Sequence, residues 1–266
     1  MWAPKKHNKR LKIIAALFLV VAFFLLVGNG FIAKMLWANG FKSAAYYVNF
    51  SNHQVALNEA TYYFGGGTYD VKKAKEAYKL ALRLDPATPL AHYQLARIYF
   101  VEGDHVTALE EINTELITNP QNLRALYVRG LIEMTQADLQ NAENDFRRFI
   151  AWAPTEWGGY NDLAYVQAKA GKYAKSEQTI QEAMLRVPHA EDVPWLWNSL
   201  GLAQLNQFKY REAAASFKNA LELANKLTVE EWRRAYTAND PKGDTESVEA
   251  FRKAIENNLK AAEAGE

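Results

Sequence analysis

No cysteine occurs among the 266 residues. That excludes disulfides, thiolate nucleophiles, thiolate metal sites and lipid attachment at an N-terminal cysteine. It is compatible with an oxidising compartment without identifying one. A general excess of one charge is also missing, since 31 Lys and Arg stand against 30 Asp and Glu. The balance conceals one local excess. Residues 1–12, MWAPKKHNKRLK, carry Lys5, Lys6, Lys9, Arg10 and Lys12 and no acid, leaving 26 basic against 30 acidic residues in the remainder. A chain without a concentrated basic surface cannot displace counterions from a phosphate backbone, so no nucleic-acid partner is expected.

Histidines are few, at 7, 53, 92, 105 and 189. None has a metal-ligand spacing, and packing is the default role for His92 and His105. The glycines of FGGGTYD lack the Gly-Lys-Ser/Thr ending of a phosphate loop and read as a turn between helices. There is no nucleophile elbow or dinucleotide fingerprint, and no carboxylate pair in an apolar setting. The expectation is a non-enzyme with no cofactor, no metal and no evident small-molecule substrate.

One long apolar run is present. Ile13 to Ala33 reads IIAALFLVVAFFLLVGNGFIA, with Asn29 its only polar side chain. Twenty-one helical residues would span about 31 Å, close to a hydrocarbon core of roughly 30 Å. With five basic residues before it and only Lys34 and Lys42 close behind, the positive-inside rule places the N-terminus in the cytoplasm. Residues 13–33 are thus expected to form a single-pass transmembrane helix. The remainder would then lie on the extracytoplasmic side, periplasmic or extracellular, which in a bacterium is the cell envelope. A cleaved signal peptide, which would leave a secreted protein, is the alternative suggested by Gly28 and Gly30. A buried core helix is the blander one.

Prolines are scarce, eight in all, yet four recur at a fixed interval. Pro86, Pro120, Pro154 and Pro188 are each thirty-four residues apart. Twelve residues before each stand Ala74, Ala108, Ala142 and Ser176. Eight before stand Tyr78, Ile112, Phe146 and Ile180, and four before stand Leu82, Leu116, Ile150 and Met184. These offsets share one helical face, so each proline closes an amphipathic helix. Twenty-four before come Tyr62, Ala96, Gly130 and Ala164, mostly small, where a partner helix would cross closely. A fifth copy, WNSLGLAQLNQFKYREAAASFKNALELAN, is displaced by three residues through the longer linker HAEDVPW and ends at Asn225.

This pattern resembles the tetratricopeptide repeat, a 34-residue helix–turn–helix that favours Trp-x-x-Leu-Gly-x-x-Tyr, then Ala-x-x-x-Phe-x-x-Ala, then Pro. WNSLG at Trp197–Gly201 and YREAAASFKNAL at Tyr210–Leu221 match best. Glu115, Phe149 and Arg129 depart from the pattern. The resemblance covers about residues 53–225. It implies an all-α, right-handed superhelical solenoid of about five repeats, ending near 86, 120, 154, 188 and 225. The expected order is a basic tail (1–12), the membrane helix (13–33), a connector (34–52), the array (53–225) and a C-terminal helical cap (226–266). In the cap, Val248, Phe251, Ile255, Leu259 and Ala262 share one face.

In that family the first helix of each pair lines a concave groove that commonly takes extended peptides. Two offsets from each terminator, twenty-seven and twenty-three upstream, point inward there. The first gives Glu59, Tyr93, Tyr127, Asn161 and Asn198; the second gives Tyr63, Arg97, Leu131, Tyr165 and Leu202. The candidate lining is therefore Tyr63, Tyr93, Arg97, Tyr127, Asn161, Tyr165 and Asn198. Tyrosine supplies contact area at little entropic cost, and asparagine pairs with peptide backbone. Arg97, Asn161 and Asn198 form only a partial version of the carboxylate clamp found in chaperone-binding members. The bland alternative is that the tyrosines fill the inner curve. What this implies is a membrane-anchored scaffold or adaptor for protein or peptide partners. The alternatives are a structural subunit that uses its convex face, or an enzyme accessory domain.

Overall fold

The computed structural model describes residues 29–41, 44, 53–66, 69–236 and 245–265. These residues are helical wherever they are regular, with no strand among them. The chain divides into two compact units, residues 1–91 and 92–266.

The first unit holds α1 (Asn29–Ala38), α2 (His53–Thr61), a π-helical turn (Tyr62–Gly66) and α3 (Val71–Leu84). α2 and α3 pack together, and Val55, Ala56, Ala60, Ala74, Ala77, Tyr78 and Ala81 are buried. The Asp70 carboxylate starts α3 by accepting the Lys73 amide at 3.0 Å. α3 ends at Leu84, two residues before Pro86, because the residue preceding a proline is pushed out of helical backbone.

The single-pass location expected from Ile13–Ala33 is corrected by this structure. No helix among the described residues is long and apolar enough to cross a membrane. The described end of that stretch, residues 29–33, belongs to α1. The orientation built on that span falls with it. The tail 1–12, residues 13–28 and nearly all of 42–52 lie outside the described residues.

The second unit is a succession of helix pairs: α4 (Ala91–Val101) with α5 (His105–Thr118), α6 (Leu123–Thr135) with α7 (Leu139–Trp152), α8 (Trp157–Lys169) with α9 (Tyr173–Arg186), and α10 (Pro194–Leu205) with α11 (Tyr210–Lys226). Side-chain caps begin several of them. Asp104, Asn122 and Asp138 accept the amides of Thr107, Ala125 and Asn141, satisfying donors left open in a first turn. α5, α7 and α9 each stop two residues before their proline. A 3₁₀ turn, Ala190–Asp192, takes up the longer linker ahead of α10. That turn is the physical origin of the fifth copy's displaced register.

Small residues allow the two helices of a pair to cross closely. A Cβ on Gly130 would lie 2.9 Å from Phe146 Cε1, and one on Gly201 would lie 2.6 Å from Phe217 Cε1. Phe146, Ile180 and Phe217 are fully buried beside these crossings.

A polar rung also recurs inside the pairs. Thr179 Oγ1 donates to Gln167 Oε1 at 2.8 Å, and Ser216 Oγ donates to Gln204 Oε1 at 2.7 Å. The corresponding residues of the α6–α7 pair are Glu133 and Asp145, two acids, and there Arg129 intervenes. Its Nε and Nη2 grip the Asp145 carboxylate at 2.5 and 2.9 Å, and its Nη1 reaches Asn113 at 2.9 Å.

Successive pairs are tied by a second recurrent link. Lys172 donates to Glu143 at 2.8 Å, and one repeat later Lys209 donates to Glu177 at 2.7 Å. Beyond α11 come α12 (Val229–Tyr236) and α13 (Thr245–Glu263). α13 packs on α11; Ile255 and Ala262 join Ala213, Phe217, Ala220 and Ala224 in one cluster. Arg252 donates to the Ala224 and Leu227 carbonyls, both at 2.9 Å, covering acceptors at the end of α11.

Candidate protein-binding face

The face is built from the first helices of the pairs, where residues three, four and seven apart lie on one side. On α8 that side carries Trp157, Asn161 and Tyr165; on α10 it carries Trp195, Asn198 and Ser199. The two helices pack together, and Ser199 Oγ donates to Asn161 Oδ1 at 2.8 Å. Asn161 Nδ2 in turn donates to Asp162 Oδ1 at 3.1 Å, and Tyr127 Oη on α6 donates to Asp162 Oδ2. A hydrogen-bonded chain thus runs Tyr127–Asp162–Asn161–Ser199 across three helices. Asn198 is joined to α13, accepting from Asn258 Nδ2 at 3.3 Å.

Asp162 is the electrostatic centre of this chain. It keeps some exposure but is surrounded closely enough that burial raises its pKa to about 6, while the Tyr127 and Asn161 donors pull in the opposite direction. At neutral pH it is therefore mainly an ionised acceptor. Tyr127 is held from behind by Phe149 and Phe146, with ring centroids 5.0 and 5.7 Å away.

The residues read from the sequence divide into groups. Tyr127, Asn161 and Asn198 stand on the chain just described or beside it. Tyr165 is open, 41% exposed, with the Lys169 ammonium 5.4 Å from its ring centroid. Tyr93 is only 4% exposed, in a cluster with Ala96, Ala108, Ile112 and Ala125, so it offers a partner almost no area. Arg97 lies 5.7 Å from its ring and donates to Gln94. Tyr63 belongs to the first unit, in the π-helical turn, and is 8% exposed.

Four residues of the face, Asp162, Trp157, Trp195 and Ser199, escape the two family offsets. Asp162 is one position away from Asn161, and Trp157 and Trp195 lie one helical turn before Asn161 and Ser199. The signal is nevertheless present in WGGYNDLAY, whose Trp, Asn and Tyr repeat at intervals of four. Trp195 stacks on Trp157 at 4.9 Å and on Phe251 at 5.5 Å, with interplanar angles of 17° and 16°.

Among the described residues no histidine enters the face. His92 Nδ1 lies 2.6 Å from Glu111 Oε2, and His105 packs on Phe100. His189, Glu191 and Asp192 bring ligand atoms within 4.8 Å of one another, but all three are exposed on the linker and nothing else marks a cation site there.

Stacked antiparallel helix pairs with a polar and aromatic first-helix face define an α-solenoid of the protein-interaction class. Tetratricopeptide repeat models match residues 57–123, and again 123–156 and 196–227. These stretches carry tetratricopeptide repeats. The chain is 27% identical over 158 residues to a TPR repeat-containing protein of Pseudomonas aeruginosa, a match covering 56% of this chain and 26% of that protein. The chain thus spans about a quarter of that relative's length. Among solved structures, MamA from Desulfovibrio magneticus RS-1 superposes with a TM-score of 0.58 at 19% identity, covering 65% of this chain and 96% of that one. YrrB, another TPR protein, gives 0.56 at 15% identity, covering 70% and 98%. At these identities the structures share the fold alone.

Proposed function

We propose that this protein is a scaffold or adaptor that holds partner proteins on the first-helix face of its second unit. The observation that carries the reading is the Tyr127–Asp162–Asn161–Ser199 chain, with exposed Tyr165 beside it. A hydrogen-bonded row on a partly open surface presents fixed acceptors and donors to an extended segment, and the aromatic rings add area at low entropic cost. A core would not require such groups.

A second reading has its own observation. Ile117, Trp152 and Leu185, near the ends of the second helices, are 81%, 69% and 88% exposed. Ile117 and Leu185 each stand three residues before a proline and Trp152 two before; large exposed apolar residues there fit a subunit that packs through its opposite face. Affinity purification from native material separates the two, with Asn161→Ala/Tyr165→Ala compared against Ile117→Ser/Leu185→Ser. Loss of bound partners in the first variant alone supports the groove. Retention there with loss in the second transfers the function to the opposite face.

A further inference from the structure

Trp157, Trp195 and Phe251 form a parallel stacked row, with Trp195 in the middle. A fourth ring leans on it without joining the stack. Trp232 of α12 lies 5.7 Å from Trp195 and 5.5 Å from Phe251, tilted by 38° and 48°. The row continues the binding face, because Trp157 and Trp195 precede Asn161 and Ser199 by one turn, and α13 carries both Phe251 and the Asn258 that reaches Asn198.

Trp232 is the residue of α12 (Val229–Tyr236) that meets the stack. The start of this helix is locally encoded by a capping box: Glu231 accepts from the Thr228 amide and hydroxyl at 2.8 and 2.7 Å, and the Glu231 amide donates back to Thr228 Oγ1 at 3.2 Å.

We propose that the ledge formed by Trp195 and Phe251 is a docking site for a partner's helical segment anchored by one aromatic side chain, and that Trp232 fills it in the resting molecule. The proposal rests on the reading of this face as a partner-binding surface and supplies the chemistry of one end of it. The chain's own TVEEWRRAY shows the kind of occupant: a short capped turn presenting a single tryptophan. Tethering gives such an internal occupant an effective concentration of about a millimolar. A modest contact therefore suffices to hold it, and a partner segment with tighter affinity displaces it.

The probe is a fluorescein-labelled peptide of residues 228–236, titrated by anisotropy into full-length protein. Trp232→Ala empties the ledge and should bind the peptide at least tenfold more tightly than wild type. Arg234→Pro interrupts α12 while leaving Trp232 in the sequence, and should do the same. Adding Trp195→Leu to Trp232→Ala, with helical circular dichroism retained, should abolish the gain. Equal binding by wild type and both opened variants, absence of binding by all, or gain that survives Trp195→Leu would each overturn the proposal. The titration reads the ledge alone. Its failure leaves the Asn161–Tyr165 test standing, and failure of that test leaves a positive titration standing.

Discussion

Glu133→Gln perturbs the one place where the recurrent rung between paired helices is built from two acids. Glu133 is 8% exposed, and its Oε2 has no hydrogen-bond partner among the described residues. Burial, then the charge of Asp145, raise its pKa from 4.5 to about 7, against the pull of Arg129. Arg129 cannot serve both acids equally: its Nε sits 2.5 Å from Asp145 and 3.8 Å from Glu133. A carboxyl raised on folding keeps its proton in the native state while the unfolded chain loses it. Its contribution is thus fully present below pH 4.5 and is lost as pH rises toward 7. At about 1.4 kcal/mol per pH unit, a rise from 4.5 to about 7 corresponds to about 3 kcal/mol as an upper figure.

Glutamine is the residue that the next two pairs already use at this position, as Gln167 and Gln204. It cannot ionise, and its amide can donate to Asp145 while Arg129 keeps its grip. The variant is expected to be more stable than wild type by about 1–3 kcal/mol at pH 8 and nearly equal to it at pH 4.5. Urea midpoints at the two pH values measure this, provided the slopes of the transitions agree. A gain of the same size at both pH values would refute the reasoning, as would a loss at pH 8.

The opposite sign applies at Glu143. Burial opposes its ionisation, but hydrogen bonds from Lys172 and Arg147 outweigh that and hold its pKa at about 2. Its stabilisation is present above pH 4.5 and lost as pH falls toward 2, so Glu143→Gln should cost about 1–3 kcal/mol at pH 7, with the gap closing in acid unfolding curves. Ala137 stands in the left-handed region, at φ 61°, where the turns of two other pairs have Gly103 and Gly171. Ala137→Gly should therefore raise stability by about 0.5–1 kcal/mol, read as a higher thermal midpoint. Gly130→Ala would place a methyl against the buried Phe146 ring. Overpacking of about 1–3 kcal/mol exceeds the roughly 1 kcal/mol gained in helix propensity, so a lower urea midpoint is expected.

The spacing of Pro86, Pro120, Pro154 and Pro188 makes the pairs legible because proline acts locally. It ends a helix through its own ring, whatever the tertiary surroundings. The four- and eight-residue offsets are legible for a related reason, since Ala142, Phe146 and Ile150 must share one side of any helix they occupy. Arg129 is visible in the sequence only as a departure from a usual leucine. Its partners Asn113 and Asp145 lie sixteen residues away on either side, on helices whose facing depends on packing. The face is partly legible in the same way. Register reaches Tyr127, Asn161, Tyr165 and Asn198. It misses Asp162, Ser199 and the tryptophan row, which follow from how α8, α10 and α13 meet, and it cannot show that Tyr93 is buried. The apolar run at 13–33 illustrates the converse. Hydropathy alone suggests a span, whereas no helix among the described residues is long and apolar enough to cross a membrane.

α10 shows why stability and binding should be separable in this chain. Its successive turns present Trp195 to the aromatic row, Asn198 and Ser199 to the polar strip, Gly201 to the crossing with Phe217, and Gln204 to the rung with Ser216. The first two functions face one way and the last two are spent within the pair. Changes at a rung or crossing act through the core and shift unfolding midpoints. Changes at Tyr165 or Trp232 touch partly exposed groups, whose loss leaves those buried contacts in place. A variant set drawn from both sides of this one helix would therefore move stability and partner affinity independently. Strict covariation of the two would instead mean that the face is an extension of the core.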